Sequence, residues 1–108
     1  MKIVFALAAA LVVGSVGSAG AAEKPATPAP GEAQFKQHCM MCHPAGGNIV
    51  NPQKTLLKKD RDVNNIKTES DIVRTMRKPG PGMTAFDAKT LSDKDAHAIA
   101  AYILQTFK

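Results

Sequence analysis

The feature that most constrains this chain is the pentapeptide C-M-M-C-H at residues 39–43, which contains both of its cysteines. The two thiols are separated by two residues, and an imidazole follows directly. A helix is predicted over residues 32–41, and Phe35, Cys39 and Cys42 recur on one of its faces at helical spacing. The fold must therefore present two thiols and the imidazole of His43 to the same small volume.

A C-x-x-C-H pattern is typical of c-type haem attachment, in which each thiol forms a thioether to a vinyl group and the histidine ligates the iron. Three other interpretations compete with it. A thioredoxin-like redox pair needs a βαβ setting, which the sequence does not indicate. A zinc site needs four ligands, and a structural disulfide would leave His43 without a role. The pattern favours one covalently bound haem c held by Cys39 and Cys42, with His43 as an iron ligand.

The first residues have the layout of a secretory signal peptide. Lys2 is followed by an apolar run over 3–13 and by small residues over 14–22. The apolar run is too short to favour a membrane-spanning helix. We therefore predict a signal peptide at 1–22, a Pro- and Ala-rich spacer at 23–30 and a folded domain at 31–108. The mature chain is expected in the periplasm or a thylakoid-lumen-like compartment, without stable membrane insertion.

The rest of the domain reads as all-α. Thr68, with an acidic residue three positions later, predicts a helix that Pro79 ends. Ser92 begins the clearest helix, whose apolar residues recur at i, i+3, i+4, i+7 and i+8. No alternating strand pattern is present. The sequence thus predicts about four short helices joined by loops that are long for a domain of this size.

The middle of the chain gives weaker signals. Residues 55–59 suggest a short helical turn, and residues 60–67 read as polar and irregular, with Val63 and Ile66 as anchors. The chain has no Trp and one Tyr, so its aromatic core is thin. Small domains with little apolar core usually need a disulfide, a metal or a cofactor for stability. The long loops are therefore expected to wrap around the haem.

A sixth iron ligand must come from elsewhere in the chain. The candidates are four methionines and two histidines outside the motif's own His: Met40, Met41, Met76, Met83, His38 and His97. Met83 is favoured because it lies 40 positions after His43, in a loop whose glycines allow close approach to a flat ligand. Met76 falls on an apolar helical stripe, where a methionine is more often core filler, and His97 falls on a polar helix face.

Ligation by histidine and methionine would occupy both axial positions and raise the reduction potential. This favours an electron carrier over an enzyme. A small haem peroxidase or a gas-binding haem protein is the alternative, and it requires that Met83 does not ligate. A haem-bearing subunit of a larger respiratory complex is a third hypothesis.

These motifs resemble those of class I monohaem c-type cytochromes, and the chain is most similar to the short soluble cytochrome c-553 type. The resemblance covers about 31–107 and rests on C-M-M-C-H at 39–43, G-G-N at 46–48, P-Q-K-T-L at 52–56, G-M-T-A-F at 82–86 and L-S-D at 91–93. It implies a cytochrome c fold in which Cys39 and Cys42 hold the haem, His43 is the proximal ligand and Met83 the distal one.

The resemblance also implies that the first and last helices cross through Gly31, Phe35 and Tyr102. A proline carbonyl often orients the proximal histidine in this family, and Pro52 is the counterpart here. Thr84 stands where the family commonly has a proline after the methionine, which leaves the distal loop less rigid.

The chain carries 14 Lys and Arg against 9 Asp and Glu, a formal net charge of +5. A basic rim would steer it toward larger redox proteins with acidic docking faces, one as electron donor and one as acceptor. A merely soluble mixed-charge surface explains the same composition. Nucleic-acid binding is disfavoured because there is no dense basic stripe and because the chain is exported. We expect a monomer.

Overall fold

The computed structural model describes Gly14 and residues 29–108. Almost all of the predicted signal peptide (1–22) and spacer (23–30) therefore lies outside the described residues. The described part of the domain is all-α, as predicted, with four α-helices and a 3-10 turn: α1 at Glu32–His38, the 3-10 turn at Pro44–Gly46, α2 at Lys58–Val63, α3 at Glu69–Arg77 and α4 at Asp93–Thr106.

The two best-signalled helices begin where their capping residues indicate. At the start of α3, the Thr68 hydroxyl accepts a hydrogen bond from the Asp71 N–H, and the Asp71 carboxylate accepts one from the Thr68 N–H. At the start of α4, the Ser92 hydroxyl accepts from the Asp95 N–H at 3.1 Å. Both caps satisfy donors that the first helical turn leaves free.

The core lies where α4 packs on α1 and α3. Its fully covered side chains include Phe35 from α1 and Ile99 from α4, at 1% and 0% exposure. Burying an apolar side chain of this size stabilises the fold by roughly 1.5–3 kcal/mol. The predicted crossing of the first and last helices is confirmed, because the Phe35 ring lies 5.2 Å from that of Tyr102 and 5.5 Å from that of Phe107.

The middle of the chain differs from the prediction. Residues 60–67 were expected to be irregular, but α2 occupies Lys58–Val63. Val63 was expected to anchor this segment and is instead 81% exposed, whereas Arg61 points inward at 5% exposure. Ile66 does pack against the core, as expected. Only residues 58–59 of α2 fall within the predicted helical turn at 55–59; the rest of the helix escaped prediction because it is held by polar contacts and has no apolar stripe.

Candidate haem site

The end of α1 presents the two thiols and the imidazole on one tight turn. The helix ends at His38, and the Cys39 N–H still donates to the Phe35 carbonyl at 2.8 Å. The chain then folds back, so that the His43 N–H donates to the Cys39 carbonyl at 2.9 Å. The helix is therefore shorter than the predicted 32–41, because residues 39–43 form this turn instead of a further helical turn.

Both cysteines are free thiols in the structure, so the structural-disulfide alternative gains no support. Cys39 is half-buried and Cys42 is exposed. Burial raises the pKa of the Cys39 thiol to about 11, because the thiolate would be poorly solvated there. The Cys39 thiol of the unattached chain is therefore protonated and of low reactivity toward disulfide exchange near neutral pH.

The imidazole of His43 is oriented by one backbone carbonyl. Its Nδ1 lies 2.7 Å from the Gly47 carbonyl oxygen. A carbonyl only accepts hydrogen bonds, so Nδ1 carries the proton and Nε2 keeps its lone pair for a metal. The expected partner was the Pro52 carbonyl, and this expectation was wrong. Gly47 reaches the ring because Ala45, at φ 52, turns the chain sharply just after His43.

Met83 lies in the loop that joins α3 to α4 and is half-buried against the core. The loop returns to α3 at Phe86, whose N–H donates to the Met76 carbonyl at 2.8 Å. Gly82, directly before Met83, has φ 88, a conformation that side chains other than glycine rarely adopt. The loop therefore depends on this glycine to carry Met83 past the neighbouring Val50.

The thiol-bearing turn and the Met83 loop line the same cavity, which has a volume of about 590 Å³. All four predicted site residues contribute to its wall: Cys39, Cys42, His43 and Met83. Apolar side chains from three further segments complete it: Leu56, Ile72, Met76 and Ile103. The volume is within the roughly 300–1,000 Å³ typical of ligand sites, and most of the lining is apolar. Two thiols, a metal-binding imidazole and a thioether fit the donor set that a covalently bound haem requires.

The competing ligand candidates differ in whether they border the cavity. His38 and Met41 also border the cavity, whereas Met40 does not. The His97 Nδ1 lies 2.8 Å from a carboxylate oxygen of Glu69 on the surface between α3 and α4. Met76 is 4% exposed and belongs to the core as well as to the cavity wall. The choice of Met83 as the distal ligand stays a prediction.

Arg61 is a cavity-lining residue that sequence reasoning missed. Its side chain is buried, and its Nε donates to the Leu56 carbonyl at 2.8 Å while Nη2 donates to the Phe107 carbonyl at 3.0 Å. Buried cations need such partners because desolvation is costly. No signal in the sequence marked it, since it lies in a polar segment with charged residues on both sides.

The described residues, Gly14 and 29–108, contain no group of three or more His, Cys, Asp or Glu side chains suited to holding a metal ion. The zinc alternative therefore finds no ligand set there. No helix in the same part of the chain is long and apolar enough to cross a membrane.

Residues 26–103 match the protein family described as cytochrome c oxidase, cbb3-type, subunit III. Cytochrome c6 from Synechocystis is 33% identical over 99 residues, which cover 92% of this chain and 82% of the relative. The chain belongs to the class I monohaem c-type cytochromes. Cytochrome c6 from Cyanidium caldarium is 36% identical over 74 residues, 68% of this cytochrome and 66% of the relative.

A solved structure of the outer membrane cytochrome OmcF from Geobacter sulfurreducens has the same fold. It superposes with a TM-score of 0.71 at 42% identity and covers 72% of this cytochrome and 99% of OmcF. The cytochrome accordingly carries one covalently bound haem c with its iron. It is a monohaem electron carrier rather than an enzyme, and it acts in the periplasm or thylakoid lumen between larger redox complexes.

Proposed function

We propose that this cytochrome transfers single electrons through a haem held by thioethers to Cys39 and Cys42, with His43 as the proximal ligand and Met83 as the distal ligand. One observation carries the proposal: these four side chains come from two distant segments and border one cavity. The bound haem supplies an iron that alternates between the ferric and ferrous states. The chain's part would be to hold the iron through His43 and Met83 and to limit the access of water.

Each donor has a distinct effect. The hydrogen bond from His43 Nδ1 to the Gly47 carbonyl fixes the ring and makes Nε2 a stronger donor. The Met83 thioether is a soft neutral donor, which favours ferrous iron and raises the reduction potential. Apolar wall residues such as Ile72 and Ile103 act in the same direction, because they solvate the additional ferric charge poorly. If His43 and Met83 both held the iron, no donor position would remain free for an oxygen-derived substrate.

The ligand assignment is tested by visible absorption of the mature protein, oxidised and reduced. We expect a low-spin spectrum with a weak far-red band from methionine on ferric iron, and we expect Met83→Ala to remove that band. Met40→Ala is the matched control, because Met40 lies outside the cavity wall. A far-red band that persists in Met83→Ala would contradict the assignment. So would a high-spin spectrum of the unmodified protein that shifts when carbon monoxide is added.

The same proposal includes a docking face for acidic partners at the cavity mouth. Met41 and Val50 border the cavity and are 87% and 57% exposed, so they form an apolar patch there. Lys54 and Lys78 also border the cavity and are exposed. An apolar patch beside fixed positive charge suits brief docking of a monomeric carrier, because electrostatic steering raises the association rate.

Small redox reagents of opposite charge test this face without a known partner. Lys54→Gln and Lys78→Gln should slow electron transfer with anionic ferricyanide and speed it with cationic hexaammineruthenium. Lys36→Gln is the charge-matched control, since Lys36 lies on α1 in an ion pair with Glu32. Equal rates in all variants would show that electrons do not enter beside these lysines.

We also propose that residues 1–22 are removed on export and that 23–30 form a spacer ahead of the domain at 31–108. The mass of the exported protein, measured by mass spectrometry, gives both the cleavage site and the added mass of a covalently attached haem.

A further inference from the structure

The last residue of α3, Arg77, joins three parts of the chain through one guanidinium group. Its Nη1 donates to the Phe86 carbonyl at 3.0 Å and to the Leu91 carbonyl at 2.8 Å. Its Nη2 pairs with the Asp93 carboxylate at 2.6 Å. The Arg77 side chain is only 21% exposed, so these are charge-assisted bonds in a partly desolvated place.

These bonds close the base of the loop that carries Met83. The Phe86 N–H donates to the Met76 carbonyl at 2.8 Å, and the Phe86 carbonyl accepts from Arg77. Both backbone polar groups of Phe86 are therefore bound to the end of α3. The segment 78–85 leaves the helix and returns to it as a closed loop.

Inside this loop, few backbone hydrogen bonds fix the chain. The one backbone hydrogen bond between residues of 78–85 runs from the Met83 N–H to the Gly80 carbonyl at 3.5 Å, which is long for a hydrogen bond. Gly80 and Gly82 add conformational freedom on either side of Pro81. The position of Met83 thus depends on the closure at the base more than on contacts within the loop.

We propose that Arg77 is a positioning residue for Met83: by closing the loop at Phe86 and Leu91, it keeps the thioether on the cavity and resists its displacement by outside ligands. This inference rests on the proposed ligation by Met83. An equilibrium between closed and open loop lets an external ligand bind only from the open form, so its apparent affinity reports the open fraction.

The experiment is a titration of the ferric, haem-bearing protein with imidazole, followed in every variant by the shift of the main haem absorption band and, where Met83 is present, also by the loss of the far-red methionine band. Arg77→Gln should bind imidazole at least tenfold more tightly, because the loss of a single hydrogen bond from a charged donor corresponds to about that factor and Arg77 makes two such bonds to the loop. The imidazole affinity of Arg77→Lys should lie between those of the unmodified protein and Arg77→Gln, since one ammonium group cannot reproduce the planar guanidinium that donates to three acceptors. Lys94→Gln, which removes a positive charge next to Asp93, should bind imidazole as the unmodified protein does.

A cycle with Met83→Ala separates positioning from general stability. In the Met83→Ala background no thioether competes, so Arg77→Gln should no longer change the imidazole affinity. A merely structural role would lower the melting temperature without this dependence on Met83. Asp93→Asn removes only the ion pair and should shift the affinity in the same direction by less, which keeps the test available if Arg77→Gln folds poorly.

The outcomes distinguish the two proposals. If the far-red band needs Met83 but imidazole affinity is unchanged in Arg77→Gln, Arg77→Lys and Asp93→Asn, the positioning role is wrong and the ligation stands. If Met83→Ala keeps the band, both are wrong.

Discussion

Gly31 lies directly against the backbone of Ala98 at the crossing of α1 and α4. A Cβ atom on Gly31 would overlap the Ala98 carbonyl and would lie 2.7 Å from the Ile99 nitrogen. Gly31 also has φ 91, in the left-handed region that glycine adopts without strain. Backbone cannot retreat as a flexible side chain can, so this contact sets how closely the two helices approach.

Gly31→Ala should therefore be among the most destabilising single-methyl substitutions in the domain. We expect a loss of about 2–4 kcal/mol in unfolding free energy, since it combines overpacking with a strained φ. Denaturant unfolding of the haem-bearing protein measures it. Gly80→Ala is the control, because a Cβ there meets only the end of Lys54 at 3.9 Å. Equal stability of the two variants would mean that the helix crossing is not set at Gly31.

The two carbonyls held by Arg61 give a second prediction. Arg61→Met keeps most of the side-chain volume but leaves the Leu56 and Phe107 carbonyls without this donor. We expect a loss of about 1–3 kcal/mol, the usual penalty for an unsatisfied buried polar group. Arg74→Gln should have far less effect, because the Arg74 side chain is 69% exposed. Unfolding by denaturant compares the two, and an equal effect would show that Arg61 bonds add little.

These two sites show how far sequence reasoning reaches in this protein. The helices α3 and α4 were predictable because their caps and apolar stripes are local patterns. Most of α2, beyond its overlap at 58–59 with the predicted turn, was missed because Arg61, not an apolar residue, faces inward, and the partners of Arg61 lie 5 and 46 positions away. Such long-range hydrogen bonds leave no periodic trace in the sequence.

The site was likewise predictable in composition but not in its supporting contacts. The C-M-M-C-H motif and the glycines beside Met83 identified the residues that border the cavity. The carbonyl that orients His43 was wrongly assigned to Pro52, because the choice depends on the sharp turn at Ala45. The role of Arg77 had no signal in the sequence, because its bonds to Phe86 and Leu91 depend on where the following loop returns.

The cap of α3 predicts a defined dependence of stability on pH. Backbone N–H groups of Lys67 and Thr68, together with Arg74, hold the pKa of the Asp71 carboxyl well below its usual range. A carboxyl whose pKa is lower in the folded state stabilises the fold above its unfolded pKa of about 3.9, and loses that contribution as the pH falls toward the folded pKa.

Asp71→Asn should therefore reduce the unfolding free energy at pH 6, and the difference from the unmodified protein should shrink as the pH falls below about 4. Denaturant unfolding at several pH values follows the difference. Thr68→Ser is the matched control, because it keeps the hydroxyl that accepts from the Asp71 N–H. A difference that stays constant from pH 6 to pH 3 would show that the ionised carboxylate is not what stabilises this helix.

The cavity predicts that the fold depends on covalent haem attachment. A volume of about 590 Å³ in a domain this small cannot stay unfilled without a penalty. Without haem, the apolar side chains of its wall lack packing partners on one side, and a small domain has only a modest stability to lose. The double variant Cys39→Ala, Cys42→Ala should therefore be largely unfolded when made without haem.

Far-UV circular dichroism of that variant, beside the haem-bearing protein, measures the loss of helix. Free haem added to the variant supplies the control, because binding without thioethers should restore part of the helical signal if filling the cavity is what matters. A double variant that keeps its full helical signal and unfolds cooperatively without haem would show that α1, α3 and α4 hold together through Phe35, Ile99 and their neighbours alone.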